Sequence, residues 1–271
     1  MSYYQKIGFI GAGNMGGSIL KGLIASGAAN REDILVTQAT PELTAASAEQ
    51  LGVMGAASNR ELVENCDLFF LGVEPSIVPV VLEEIKLVYN NSKTIISMAA
   101  GVMIASIEKF LGEDAKIIRI MPNTPARVME SMIAMCRNQN ITDEEMGEAR
   151  KILSSIGKAE EVTEDLIHAV IGVSGSSPAY TYMYIQGLAD SAAAQGMDPE
   201  LARVFAAQAV LGAAKIVLES EDSLDTLVDK VCTPGGTTYE AVTYLREHGF
   251  REMVTAGAEA AIRKSEEMSR K

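Results

Sequence analysis

The amino-acid sequence predicts an α/β fold: an N-terminal doubly wound parallel sheet followed by an all-α C-terminal domain. Between Lys6 and Val162 short apolar strands alternate with amphipathic helices, as in a parallel sheet covered on both faces. The first strand, Lys6 to Ile10, runs straight into Gly11-Ala12-Gly13-Asn14-Met15-Gly16 and then an apolar helical run to Leu23. A G-x-G-x-x-G that leaves a strand and opens a helix is the Rossmann-type dinucleotide fingerprint. From Glu164 onward the pattern becomes almost entirely helical. The boundary is therefore expected between residues 163 and 164, with a dinucleotide-binding Rossmann domain over 1–163.

The glycine spacing has a chemical reason. Gly11 permits a tight turn, Gly13 lets a pyrophosphate approach the backbone, and Gly16 lets the helix pack close on the strand. The helix then offers unpaired N–H groups and a positive dipole end to an anion. A second strand follows at Ile34–Thr37, and Thr40-Pro41 starts a helix to Leu51, with proline at the first helical position. At the end of that strand an acidic residue would select NAD. Here stand Gln38, Ala39 and Thr40, short polar groups that suit a 2′-phosphate, so NADPH is expected, with NADH open because no Arg follows. Val53–Ala56 reads as a short strand, and Ser58-Asn59-Arg60-Glu61 as a capping box. Asn59 reads equally as a ribose contact or a helix-start residue. Asp67–Val73 is a continuous apolar run, as in a central parallel strand. It ends at Glu74-Pro75, where a second cofactor loop is expected.

A helix at Ile77–Val88 leads to a strand at Thr94–Ser97 and the small-residue loop Met98-Ala99-Ala100-Gly101. Another helix leads to a strand at Lys116–Met121 and then Pro122-Asn123-Thr124-Pro125. Thr142 to Glu145 is a further capping box for a helix to Ser155, and Ala159–Val162 a last strand. In the helical part, Pro178–Ala194 is one helix, and Asp198-Pro199 caps another running to Leu218. Between Leu201 and Leu218 the only charges are Arg203 and Lys215. A helix apolar on nearly all sides must be buried on nearly all sides, which predicts interlocking with a second subunit. Burial between the two domains of one chain is the alternative.

The net charge of −13 over 271 residues argues against nucleic acid, whose phosphates are held by Lys and Arg. The absence of an uninterrupted apolar run of about 18 residues argues against a membrane span. Cys66, Cys136 and Cys232 are odd in number and widely spaced, and read as free thiols in a reducing cytoplasm. The two histidines and scattered cysteines predict no metal site.

The other distinctive stretch is Cys232 to Glu240, with Pro234-Gly235-Gly236-Thr237-Thr238. Pro-Gly-Gly ends one helix and Thr237-Thr238 opens the next, whose N–H groups suit a carboxylate. Read alone, such a stretch is more often just a helix–helix turn. Gly8 to Met15, Met121 to Pro125, Ser174 to Tyr180 and Asp229 to Glu240 occur together and in order. In this combination the whole chain resembles the pyrroline-5-carboxylate reductase family.

The resemblance implies reduction of 1-pyrroline-5-carboxylate to L-proline with hydride from NAD(P)H. It also implies a homodimer or higher homo-oligomer, with 164–271 as substrate-binding and dimerisation domain and each active site shared between subunits. By position, Ile10, Gly11, Ala12, Gly13, Asn14 and Met15 would cradle the pyrophosphate. Gln38, Ala39 and Thr40 would meet the adenosine 2′ side and Asn59 the ribose, with Gly72, Val73, Glu74, Pro75, Met98, Ala99 and Ala100 along the rest of the cofactor. Gly236, Thr237 and Thr238 would bind substrate, with Ser176 close by and Glu164 and Glu221 as further candidates. The Thr238 hydroxyl is the candidate catalytic group, hydrogen-bonded at the ring nitrogen.

The chain departs from the family pattern at several positions. Glu74 stands where Lys is usual, Ser177 where Gly is usual, Gln186 where an acid is frequent and His168 where Asp is common. Ser177 keeps open a related cyclic imine as substrate, and together with Glu74 a nucleotide-binding relative without turnover. His168 reads as a structural histidine and His248 as a helix C-terminal cap. At least two of Tyr180, Tyr182 and Tyr184 read as packing residues.

Overall fold

The structure, a computed structural model, describes residues 4–269. The chain packs as two compact units. The first runs through Gly175 and takes back the chain from Ile262 onward; the second is Ser176–Ala261. Packing thus divides the chain later than the change of period at residue 164. The reason is local: Ile167 is fully buried in a core cluster of the sheet unit, although it already lies on a helix.

In the first unit the elements are β1 (Ile7–Ile10), α1 (Asn14–Ala25), β2 (Ile34–Thr37), α2 (Pro41–Leu51), β3 (Met54–Gly55), α3 (Asn59–Asn65), β4 (Leu68–Leu71) and α4 (Val78–Ile85). Then come β5 (Thr94–Ser97), α5 (Ile104–Leu111), β6 (Lys116–Met121), β7 (Ser131–Arg137), α6 (Asp143–Leu153), β8 (Gly157–Glu161) and α7 (Ile167–Val170). The strands form one sheet in the order β3-β2-β1-β4-β5-β6-β7-β8. From β3 to β6 every pair is parallel. β7 is antiparallel to β6 and parallel to β8. It is the one strand the sequence reading did not foresee.

Alternate residues of each strand feed opposite faces. Phe9, Phe70, Ile96 and Ile118 pack with Ile19, Leu20 and Leu23 of α1 on one side. Phe69, Leu71, Ile95 and Ile117 pack with Leu62, Leu82 and Ile107 on the other. The Phe9 and Phe70 rings stack at 4.6 Å across the β1/β4 pair. Strand order reverses direction at that pair, which is where an open α/β sheet has its binding crevice.

Capping is partly as the sequence predicts. Thr142 and Glu145 complete a reciprocal capping box on α6. At α3 Ser58 accepts from the Glu61 N–H, but Glu61 Oε2 takes the Ala57 N–H at 2.6 Å instead of the cap's own. The box is therefore shifted by one residue.

The second unit is helical: α8 (Ser177–Ala194), α9 (Pro199–Glu219), α10 (Leu224–Val231), α11 (Thr237–Glu247) and the first part of α12 (Phe250–Ser269). α8 and α9 meet through Ala189, Ala202 and Ala206. Much of the remaining apolar surface of this unit stays open, with Phe205 62% and Leu218 65% exposed. By length and composition α9 is apolar enough to cross a bilayer, with a mean hydropathy of 1.7 over its best window. No run of about 18 uninterrupted apolar residues is present in it, because Arg203, Gln208 and Lys215 interrupt the helix while its average stays high.

The end of α12 returns to the first unit. His168 Nδ1 pairs with the buried Ser265 Oγ at 2.8 Å, and the Met268 backbone lies beside Gly101. His168 is thus a structural histidine.

Candidate active site

Four parallel strands deliver their carboxyl ends to one level. Ile10 lies opposite both Thr37 and Leu71, and Leu71 lies opposite Ser97. The ladder continues one residue further: Gly11 N donates to Thr37 O at 2.9 Å, Gly72 N to Ile10 O at 2.8 Å and Met98 N to Leu71 O at 3.2 Å. The segments 10–15, 38–40, 72–75 and 98–100 therefore leave the sheet side by side. The sequence reading named these four for one cofactor, and the register brings them together.

The three glycines of the fingerprint differ in what they accommodate. Gly11 has φ +85°, and a Cβ there would stand 2.7 Å from Gly72 O. A Cβ on Gly16 would stand 2.5 Å from Gly11 O. Both are required by the chain's own packing. A Cβ on Gly13 would meet nothing within 4 Å, so that space is left open by the protein. Gly13 is also the N-cap of α1, with no side-chain cap and no acidic residue in the first turn. The first N–H groups of α1, which lack intrahelical acceptors by geometry, face no competing carboxylate. These residues fit a bound diphosphate.

Beyond β2, the Gln38 N–H donates to Thr44 Oγ1 at 2.9 Å and Gln38 Nε2 to Ser47 Oγ at 3.1 Å. Ala39 and Thr40 are exposed, and Thr40 caps α2 through the Leu43 N–H. Asn59 lies beside the end of β2. Thr37 Oγ1 donates to Asn59 Oδ1 at 2.7 Å, and Asn59 Nδ2 donates to Glu84 Oε2 at 2.8 Å. Thr37 and Glu84 were not foreseen; Glu84 follows Glu83 near the end of a helix, and nothing in that pattern marks it. Glu74 and Pro75 are exposed, and Glu74 O accepts from the Ile77 N–H at 2.9 Å to turn the chain into α4.

Glu164 makes two contacts within the sheet unit. Its Oε1 accepts from the buried Arg119 at 2.8 Å and from the Ile104 N–H at 2.9 Å. The carboxylate thus ties β6 to the start of α5, with Oε1 already engaged twice. Glu164→Ala leaves a buried guanidinium without its anion and is expected to lower unfolding stability by about 3 kcal/mol, read from urea denaturation midpoints. Asn123, in the Met121–Pro125 motif, is a second clamp. Its Oδ1 accepts from Ser131 Oγ and the Met132 N–H, both at 3.0 Å, and its Nδ2 donates to Ser174 O at 3.1 Å.

Two cysteines are inert by environment. Burial pushes the Cys66 and Cys136 thiols up to about 12, and a thiol reacts as its thiolate. Both are expected to resist a disulfide reagent at pH 8 until the protein is denatured, whereupon all three cysteines titrate.

In the second unit, Gly236 is the N-cap of α11 without a side-chain cap. Thr237 is exposed and Thr238 half-buried. Thr238 lines an apolar groove of about 500 Å³ with Ile216, Val217, Leu227, Val231 and Val242. Ser176 caps α8, its carbonyl accepting from the Ala179 N–H at 3.1 Å. Glu221 is exposed between α9 and α10. His248 caps α11 as expected, its ring stacked 3.9 Å from that of Tyr244. Tyr182 is exposed, and Tyr184 lays its partly exposed ring 6.0 Å from that of Phe250. No group of three acidic, His or Cys side chains among the described residues is placed to hold a metal.

The sequence and fold are shared with known proteins. Residues 164–268 match the family described as pyrroline-5-carboxylate reductase dimerisation, and residues 6–101 the family described as NADP oxidoreductase, coenzyme F420-dependent. The chain is 45% identical to the pyrroline-5-carboxylate reductase of Escherichia coli K12, over 98% of this chain and 99% of that protein. A crystal structure of Plasmodium falciparum pyrroline carboxylate reductase with NADP bound has a TM-score of 0.88 at 30% identity, covering 99% of both chains. The structure of a pyrroline-5-carboxylate reductase from Coxiella burnetii has a TM-score of 0.91 at 34% identity, covering 98% of both. The chain belongs to the pyrroline-5-carboxylate reductase family.

Proposed function

We propose that this chain reduces 1-pyrroline-5-carboxylate to L-proline with NAD(P)H. The observation that carries the reading is the 45% identity to a pyrroline-5-carboxylate reductase across 98% of the chain. The open Gly13 turn and the aligned strand ends support it from the structure. A bound NAD(P)H supplies hydride to the C=N carbon, and the π pair goes to a nitrogen that is already protonated.

The protein's share is orientation and charge placement. Backbone N–H groups from Gly11 to Met15 hold the diphosphate, while Gln38 to Thr40 and Asn59 meet the adenosine side. The segments Gly72–Pro75 and Met98–Ala100 line the remainder. In the helical unit the N–H groups opening α11, with Thr237, hold the substrate carboxylate. The Thr238 hydroxyl bonds the ring nitrogen and fixes the ring. Ser176 and Glu221 complete the substrate's surroundings.

The functional site is formed by two subunits, and the protein works in the cytoplasm. The open apolar surface of α9 supports the first point, because a second copy of the helical unit would cover it. Detergent-free light scattering is expected to give a dimer or a multiple of it. A monomeric mass would remove the shared site.

The deciding experiment is steady-state oxidation of NADPH and of NADH with 1-pyrroline-5-carboxylate. Absence of turnover with both would reject the reading in favour of a binding protein. Ser177, at the first position of α8, motivates the six-membered imine acid as comparison substrate; a higher kcat/KM for the larger ring would reassign the substrate. Glu74→Lys is expected to improve NADPH over NADH by roughly 1 kcal/mol, the scale of one partly screened charge. The ratio of the two KM values is the measurement.

A further inference from the structure

We infer that Glu84 is a positioning residue for the adenosine end of the cofactor, acting through Asn59, and that its charge sets the preference between NADH and NADPH. The inference rests on the reductase reading above.

Asn59 is held from two sides by groups of opposite character. Glu84 Oε2, 2.8 Å away, can only accept when ionised, so the amide must turn Nδ2 toward it. Oδ1 then faces Thr37 Oγ1 at 2.7 Å, and the hydroxyl must donate. The two contacts admit one amide orientation and exclude its flip. Thr37 is the last residue of β2 and buried, so the pair stands at the strand end where a dinucleotide fold meets the adenosine ribose. Asn59 Nδ2 has a second N–H that this arrangement leaves for a ligand oxygen. Glu84 is itself held, because Arg60 Nε donates to its backbone carbonyl at 2.8 Å.

The same carboxylate places a negative charge one amide away from that ribose. A ribose hydroxyl tolerates it, whereas a 2′-phosphate carries like charge and is repelled. The Arg60 contact is to the Glu84 backbone, so the charge at Asn59 is not neutralised there. Glu84 thus has two separable effects: orientation, which serves both cofactors, and charge, which opposes only the phosphorylated one.

Two variants separate them. Glu84→Ala removes acceptor and charge, so Asn59 is free to flip. KM is expected to rise about fivefold or more for NADH, with kcat unchanged. Glu84→Gln keeps a carbonyl acceptor for Asn59 Nδ2 and removes the charge. It is expected to restore the wild-type KM for NADH and to lower that for NADPH roughly threefold to tenfold, the scale of a nearby screened charge. Equal effects of Glu84→Gln on the two cofactors would overturn the charge assignment, and an NADH KM within twofold of wild type in Glu84→Ala would overturn the positioning. If the alanine variant does not fold, the NADPH-to-NADH ratio within the glutamine variant still decides the charge assignment, and the NADH KM of Glu84→Met, which keeps bulk without an oxygen acceptor, decides the positioning. Wild-type protein without turnover of either cofactor would instead strike at the reductase reading.

Discussion

Thr238→Ala is expected to lower kcat about a hundredfold while the dissociation constant for NADPH stays within twofold. A hydrogen bond to the ring nitrogen strengthens as the imine is reduced, and one such positioned group is worth about 10²-fold or more. The proposed dinucleotide contacts belong to the other unit and are untouched. Thr238 also lines the apolar groove beside Val242 and Val231, so a loss of rate through packing must be distinguished. Thr238→Ser keeps the hydroxyl and drops the methyl; it is expected to recover most of the rate. Thr238→Val keeps the volume and is expected to behave like alanine. Stopped-flow reduction and fluorescence titration with NADPH measure the two quantities, and an unchanged kcat in the alanine variant removes the proposed role.

The second large effect separates two glycines of the same fingerprint. Gly13→Asp puts a good N-cap residue where α1 has none, with room for it, since nothing lies within 4 Å of the new Cβ. The melting temperature is expected to hold or rise. The same carboxylate occupies the place of the diphosphate, so KM for NADPH and NADH is expected to increase at least about a hundredfold, by charge repulsion and loss of N–H donors. Gly16→Ala should behave differently. Its Cβ would sit 2.5 Å from Gly11 O, and relieving that overlap is expected to cost about 1–3 kcal/mol of stability, with cofactor affinity falling as the turn shifts. Thermal melts beside cofactor titrations test the contrast. If Gly13→Asp binds cofactor normally, the diphosphate lies elsewhere.

These positions were legible because local rules govern them. β2, β5 and β6 have the limits that their apolar runs and turn residues imply, and Pro41 starts α2 where a proline at the first helical position should. β7 was not legible. Ser131–Arg137 is a short apolar run after an irregular turn, with no periodicity of its own, and it becomes a strand through its pairing with β6. The contacts of Glu164 were not legible for a related reason. It stood as a substrate candidate by resemblance alone, and its ion pair was hidden because Arg119 is 45 residues away in sequence. Glu84 escaped in the same way, its partner Asn59 being 25 residues back. Periodicity tells which local structure a segment adopts; it does not tell which core the segment joins. The segment from 164 to 175 shows this, helical in pattern yet packed with the sheet.

The homecoming of the last helix bears on biogenesis. Ser265 and Met268 belong to the outer layer of a unit whose other members were synthesised first. A nascent chain stopped at Gly175 would lack that layer, and the nucleotide-binding half would wait, incompletely closed, for the residues from Ile262 onward. Such long-range closure slows folding, and it makes the last turns of α12 a place where trimming would loosen the packing at His168 and Gly101.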